Sequence, residues 1–339
     1  MANISLRNPQ YVYNEIPATG VLSSQCLVEI GGVTEYTLNK NVEPSTTVYW
    51  DISELARDFI TMTYKSNFLP NSVYFTITIK NFAGLNATGG QVGTDTVFNH
   101  RGFESYGIFW EGVNPNNLES WRTNPTFLIT PDLSQSTPEY NIYVPIGETG
   151  SVATTTTNGT YSSVLFNDVV ESVTLIGTPN QVLNIRRIDC TKYGKGNKVI
   201  FINKYGVQQE LWFFLKKTKR ISRTNEGYKS NTLVSIAGNN PPAYDIQDAP
   251  NKVFNTQAKR TQTFHSGYYP ESANNFFEQL LLSEYVWMEF EKEFSPTQTE
   301  IIPVKVKTSS VEFKTSVNDK LIDYSIEFED AFDYINNIR

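Results

Sequence analysis

Charge is scarce in this sequence, and histidine and cysteine are almost absent. Of 339 residues, 19% are charged, two are His and two are Cys. A disordered chain carries more charge and fewer aromatics than this one, in which 13% of residues are Phe, Trp or Tyr. Cys26 and Cys190 lie far apart and have no CxxC neighbour, so neither a disulfide framework nor a zinc site is expected; two small buried residues are. No run approaches the roughly 18 apolar residues of a membrane-spanning helix. Met1 to Arg7 has no apolar stretch of the signal-peptide kind. Asn86-Ala87-Thr88 and Asn158-Gly159-Thr160 match the glycosylation pattern, which carries little meaning without a secretion signal. A net charge of −7 opposes general nucleic-acid binding, whose affinity comes from neutralising phosphates.

What is abundant is Tyr (19) and Phe (21). Both suit pleated, half-buried surfaces and protein contacts, which favours a β-rich protein with partners. The length exceeds what one core usually serves, so two domains are expected.

Strand patterns dominate. Val73, Phe75, Ile77 and Ile79 alternate with polar residues, as on a one-sided antiparallel strand. Cys26 to Ile30, the turn Gly31-Gly32, and Tyr36 with Leu38 predict a hairpin. Gly84 to Asp95 reads as an exposed loop. Tyr106 to Trp110, Phe127 to Ile129 and Tyr140 to Ile146 are further strand candidates. Val164 to Phe166, Ser172 to Ile176 and Val182 to Asp189 follow. Two apolar runs, Val199 to Ile202 and Leu211 to Leu215, predict buried strands joined at Asn203 to Gly206. Tyr285 to Phe290, Val304 with Val306, and Tyr324, Ile326 and Phe328 complete the set. Two short helices stand out. Asp51 to Ile60 opens with a capping residue and carries an apolar stripe; Ala273 to Leu282 presents Phe276, Phe277, Leu280 and Leu281, with Ser272 as the expected cap. There is no short repeat and no sustained β-α alternation, which disfavours solenoids, Rossmann folds and TIM barrels.

The Thr-rich stretch from Gly147 to Thr160 has almost nothing to bury. The expected organisation is therefore an N-terminal β-rich domain over 1–147, a linker or long hairpin loop over 148–160, and a C-terminal β-rich domain over 161–339. The fold class is mainly β: two β-sandwich or β-barrel-like domains, each with a short helix.

Chemistry is poorly represented. His100 and His265 lie in polar, turn-like surroundings, and neither G-x-S-x-G nor H-E-x-x-H occurs. Glu327, Glu329, Asp330 and Asp333 form an acidic cluster in which Glu327 and Glu329 share the solvent side of their strand, and Asp51, Glu54 and Asp58 avoid the apolar stripe of their helix; a solvated face is expected for both groups rather than a desolvating pocket. Gly194-Lys195-Gly196 lacks the spacing of a phosphate loop. No catalytic, cofactor-binding or metal-binding set emerges, so an enzyme is not expected. One basic patch stands apart: Lys216, Lys217, Lys219, Arg220 and Arg223. Three readings are open for it: a DNA-facing surface, a solvated strand end, or a patch facing an acidic neighbour. Trp110, Trp121 and Tyr268-Tyr269 offer sugar-stacking aromatics, which supports an alternative carbohydrate- or receptor-binding module; a hydrolase around His265 is a third reading.

Four segments carry a resemblance. Tyr49 to Ile60 (YWDISELARDFI) looks like a "D/E-I-S-E-L-I-R-D-Y" element. Val199 to Gly206, followed by Trp212, Phe213 and Phe214, is similar to an "F-x-N-x-Y-G" strand-turn. Phe277 to Trp287 resembles "L-L-x-S-P-x-V", with Glu284 where proline is common. Phe313 to Tyr324 is similar to a "K-T-x-x-N-D-K-L" turn and strand. Together, and in this order, they resemble virion structural proteins of tailed bacteriophages from the neck, tail or baseplate. The resemblance implies self-assembly into a homo-oligomeric ring, docking onto other tail or neck proteins, passing contact with DNA at most, no membrane insertion, no cofactor, and a place in the virion after synthesis in the host cytoplasm.

Overall fold

The computed structural model describes residues 2–109, 139–155, 161–175, 180–190, 192, 195–234, 243–244, 246–292, 295–313 and 321–335. The fold is mainly β. The strands are β1 (Ala2–Ser5), β2 (Tyr11–Glu15), β3 (Ser23–Ile30), β4 (Val33–Asn41), β5 (Thr47–Asp51), β6 (Val73–Phe82), β7 (Gln91–Phe103), β8 (Glu139–Pro145), β9 (Gly150–Thr155), β10 (Tyr161–Phe166), β11 (Ser172–Leu175) and β12 (Gln181–Ile188). They continue as β13 (Asn197–Ile202), β14 (Gln208–Phe213), β15 (Lys217–Lys229), β16 (Leu233–Val234), β17 (Ala243–Tyr244), β18 (Asn251–His265), β19 (Tyr269–Pro270), β20 (Val286–Lys292), β21 (Ser295–Val306), β22 (Leu321–Ile322) and β23 (Ser325–Asp330). The helices are α1 (Ser53–Arg57) and α2 (Asn274–Leu282).

The chain forms two compact units. Unit 1 comprises Met1–Phe214 and Ser272–Trp287; unit 2 comprises Leu215–Glu271 and Met288–Arg339. This differs from the expected division. Within unit 1, β9 and β10 pair in register, with Gly150 opposite Phe166 and Thr155 opposite Tyr161, which is the hairpin alternative for this stretch and not the linker; residues 156–160 lie outside the described residues. Threonines are good strand formers, and backbone pairing does not require an apolar side chain. Both helices belong to unit 1, α2 returning to it between the two segments of unit 2.

In unit 1, one sheet has the order β1-β7-β6-β3-β4, and β2 pairs with β5. The alternation in β6 sends Phe75, Ile77 and Ile79 into a core with Val12, Trp50, Ile52 and Ala56. The β3–β4 hairpin closes at Gly31-Gly32, both at positive φ (61° and 83°), as the tight connection requires. Asp51 ends β5 rather than beginning a helix. Its Oδ1 accepts from the N–H (3.1 Å) and hydroxyl (2.7 Å) of Ser53, so α1 is little more than one turn. Phe59 lies beyond it, partly exposed and edge-on to Tyr36.

Further along unit 1 come the sheet β11-β12-β8 and the β13–β14 hairpin. Every residue of β14 is buried. α2 packs Phe276, Phe277 and Leu280 inward. Ser272 does not cap it; that residue sits in a 3₁₀ turn (Glu271–Ala273), and Ala273 occupies the cap position without a side-chain bond. Residues 105–108 form no strand, and Phe127 to Ile129 lies outside the described residues. Nor is 84–95 wholly a loop: a 3₁₀ turn covers Leu85–Ala87 and β7 begins at Gln91.

In unit 2, the sheet order is β20-β21-β23-β18-β15. Ile326 and Phe328 of β23 are buried with Phe264 of β18, and the Phe264 and Phe328 rings lie 5.4 Å apart. No helix among the described residues is long and apolar enough to cross a membrane.

Candidate functional site

The basic patch lies on a long two-stranded ribbon. β15 pairs antiparallel with β18 from Lys217↔Phe264 to Lys229↔Asn251, with a bulge at Glu226/Gly227. β18 also pairs with β23, but only over Thr261–His265. The residues beyond this, 221–229 and 251–260, thus form an extension that β23 does not reach, with the Tyr334 N–H bonding the Ala258 carbonyl near its root at 2.8 Å. At about 3.3 Å per residue it is on the order of 30 Å long.

Residues directly opposite share a face. Lys217, Lys219, Ile221 and Arg223 therefore share one face with Phe264, Gln262, Arg260 and Ala258. Arg220 and Lys259 lie on the other. Lys216 precedes the strand and is exposed, as are Lys219, Arg220 and Arg223. From Lys216 to Lys229 and from Asn251 to Arg260 there are nine Lys or Arg and one carboxylate, Glu226. The sequence reading found five of the nine. It missed Lys252, Lys259 and Arg260 because they sit on a strand 30 to 40 residues away, and Lys229 because it lies past the run.

The root of the ribbon is anchored. The Arg260 guanidinium lies 4.4 Å from the Phe290 ring centre, and its Nε is 2.8 Å from the buried carboxylate of Asp330. Asp330 departs from the expected solvated face: it falls on the inward side of β23 with Ile326 and Phe328, and burial raises its carboxyl above the ordinary aspartate value, against the pull of Arg260. Lys217 is half-buried over Phe264. Its ammonium is held below the usual lysine value, first by burial and then by Lys219 and Arg260, although Glu291 opposes this. The outer length is open and carries apolar groups as well as charge. Ile221 is 55% exposed, Val253 57% and Phe254 63%, and the Phe254 ring sits 6.2 Å from Tyr228.

A second surface lies in unit 1. Across β2 and β5, Tyr13 stands opposite Tyr49 with ring centres 6.5 Å apart, and Tyr11 opposite Asp51. All three tyrosines are more than half exposed, while Val12, Val48 and Trp50 point into the core. Glu15 is on the same outer face. Glu43 and Tyr49 together line a shallow depression of about 400 Å³ beside it. The period-2 pattern Tyr-Val-Tyr at 11–13 was a readable signal for this face.

The groups with chemical potential are engaged structurally. The His100 ring packs near Phe75 and Phe98, at 5.6 and 6.2 Å. His265 ends β18, and its backbone bonds Leu215 and Lys216. Next to it, the buried Ser266 hydroxyl donates towards Gly267 O (2.8 Å) and Asp323 Oδ1 (3.3 Å) and accepts from Tyr324 N–H (2.7 Å), an arrangement that fixes a turn. Among the described residues, no group of three or more His, Cys, Asp or Glu is placed to hold a metal ion. Both cysteines are buried and free. An open cleft of about 840 Å³ is lined by Tyr143, Asp168, Glu171, Arg186 and Arg187. There Arg187 is held by Asp168 (3.3 Å) and by the carbonyls of Pro145 and Glu148. Of the sugar-stacking candidates, Tyr268 is exposed and Tyr269 is buried, so the pair forms no platform; Trp110 and Trp121 lie outside the described residues.

One buried ionic cluster escaped the sequence reading. The Glu104 side chain, 1% exposed, accepts from Arg57 Nε at 3.0 Å, and Arg7 Nε lies 3.8 Å away. Glu284, half-exposed, takes Arg57 Nη2 at 2.8 Å and Arg7 Nη2 at 3.1 Å. Burial, then Glu104 and Glu284, raise the neighbouring Tyr285 phenol. Arg57 and Glu284 thus bring together the segments Tyr49 to Ile60 and Phe277 to Trp287. No family model, curated protein or solved structure matches the chain.

Proposed function

We propose that this chain is a non-enzymatic structural component of a tailed-bacteriophage tail or neck, which self-assembles and docks onto other virion proteins. The observation that carries the docking half is the β15–β18 ribbon. It extends beyond its sheet with charged and apolar side chains on the outside, where a self-contained domain would have little reason to hold them. The bacteriophage half rests on the four ordered segments. Two of these meet at the Arg57–Glu284 ion pair and a third forms the buried turn between β13 and β14, so they share a packing role in unit 1.

Mass photometry of the purified chain, with electron microscopy of particles from the producing host, tests the proposal. A discrete homo-oligomer and the chain's presence in particles are expected. A strict monomer at every concentration, absent from particles, would remove the reading.

A further inference from the structure

We infer that the β15–β18 ribbon is an assembly arm that docks onto the acidic tyrosine face of β2 and β5 in a second copy of this chain. The inference rests on the assembly reading above and names the surfaces it would use.

The charge distribution points to a like partner. The ribbon holds nine cations and one carboxylate of its own inside a chain whose net charge is −7. Lys252 is bridged to Asp248, Lys259 to Glu329 and Arg260 to Asp330, so the charge it offers comes from Lys216, Lys217, Lys219, Arg220, Arg223 and Lys229, and the acidic excess lies elsewhere on the same molecule. Within the first 60 residues there are seven carboxylates and three cations. Glu15 and Glu43 are exposed there beside Tyr11, Tyr13 and Tyr49. The three cations are otherwise engaged: Arg7 and Arg57 in the ionic cluster, and Lys40 on the Tyr49 carbonyl and near the Trp50 ring. A ribbon rich in Lys and Arg and a face of tyrosines and carboxylates match in two ways, by opposite charge and by cation–π contact. The two patches are different, so the contact is heterologous and propagates from copy to copy until it closes or extends.

Duplex DNA is the competing partner, since a two-stranded ribbon fits a major groove. Two observations favour protein. Ile221, Val253 and the Tyr228–Phe254 pair have apolar surface for which a phosphate backbone offers no counterpart. The net negative charge also repels a polyanion at the distances where steering acts.

The test uses full-length protein and two charge-reversed variants. The arm variant combines K219E, R220E and R223E; the face variant combines E15K and E43K. All five positions are exposed, so both should fold, which circular dichroism checks. By mass photometry, each variant alone is expected to need at least roughly tenfold more protein than wild type to assemble. Mixed in equal amounts, they should assemble again, because each reversed arm then meets a reversed face. An arm variant that assembles like wild type overturns the inference while leaving the assembly reading intact. So does a mixture that stays apart while both variants are folded. Gel shift with a duplex oligonucleotide is run alongside: if the arm variant loses DNA binding that wild type shows, with assembly unchanged, the arm serves nucleic acid and the inference falls. A wild type that never assembles overturns both readings together.

Discussion

Replacing Glu104 by Gln should destabilise unit 1 by about 2–3 kcal/mol. The side chain is almost wholly buried; its two oxygens share the Arg57 Nε–H at 3.0 and 3.1 Å, Oε1 also accepts from Arg57 Nη2, and Arg7 Nε lies 3.8 Å away. Gln keeps the shape and removes the charge. It also turns an N–H group towards a guanidinium that can only donate. Removing one partner from a buried ion pair typically costs about 3–5 kcal/mol. The figure here is set lower because Arg7 and Arg57 keep 24% and 32% of their side-chain surface in water and retain Glu284. All five tryptophans fall within the sequence spans of unit 1, so their fluorescence during urea unfolding follows that unit without a contribution from the other. The double variant Glu104→Met with Arg57→Met removes the buried carboxylate together with its half-buried guanidinium partner and should recover at least about 1 kcal/mol relative to Glu104→Met alone. A Glu104→Gln protein within about 0.5 kcal/mol of wild type would refute the reasoning, as would a double variant no better than the single.

Three further outcomes follow from local geometry. Gly206 sits at φ +80°, and an added Cβ would lie 3.1 Å from the Glu104 carbonyl carbon and the Phe103 Cβ; Gly206→Ala should therefore cost about 1–3 kcal/mol in the same fluorescence assay, and a neutral result would contradict this account of the turn. Asp330 has a folded-state pKa above its unfolded value near 3.8, so the folded state holds its proton more tightly, and this contribution to stability is lost as pH rises through that interval. Relative to Asp330→Asn, wild-type stability should decline from about pH 4 upward, and a relative gain over that range would reverse the assignment. Burial pushes the Cys26 thiol up to about 11, so a disulfide reagent at about pH 8 should leave Cys26 unlabelled until the chain is denatured; labelling of the native protein at the rate of a free thiol would show the site is open.

Much of the fold was legible because one-sided burial writes itself as alternation. Val73 to Ile79 and Tyr324 to Phe328 place their apolar residues as their spacing predicts. Gly31-Gly32 marked its hairpin, and the apolar run at 199–202 marked a buried strand. The boundary between units was hidden for the opposite reason. A threonine run looks like a linker, yet β9 and β10 are joined by backbone pairing, and the apolar residues they bury, Val152, Ala153 and Phe166, lie at the far end of the hairpin from the threonines. The interruption of unit 1 by unit 2 has no local signal at all, because α2 looks the same whichever core receives it. The ribbon was half visible. Its cations stood out in β15, but β18 before Thr261 is mostly polar on both faces and has no period to detect. The ionic cluster brings together positions 7, 57, 104 and 284, a long-range meeting that residue spacing cannot announce.

That interruption has a consequence for the order in which the molecule is made. A chain emerging from the ribosome presents Met1–Phe214 first, with Arg7, Arg57 and Glu104 already in place but Glu284 still unsynthesised. The Lys204 N–H likewise waits for Gln279, whose Oε1 it meets at 2.9 Å. The segment Leu215–Glu271, which carries the whole basic ribbon, is therefore exposed to the cell before the first unit can close. The nascent protein passes through an interval in which both strands of the ribbon exist, while Phe290, Asp330 and β23, which anchor its root, and α2, which completes unit 1, are still to come.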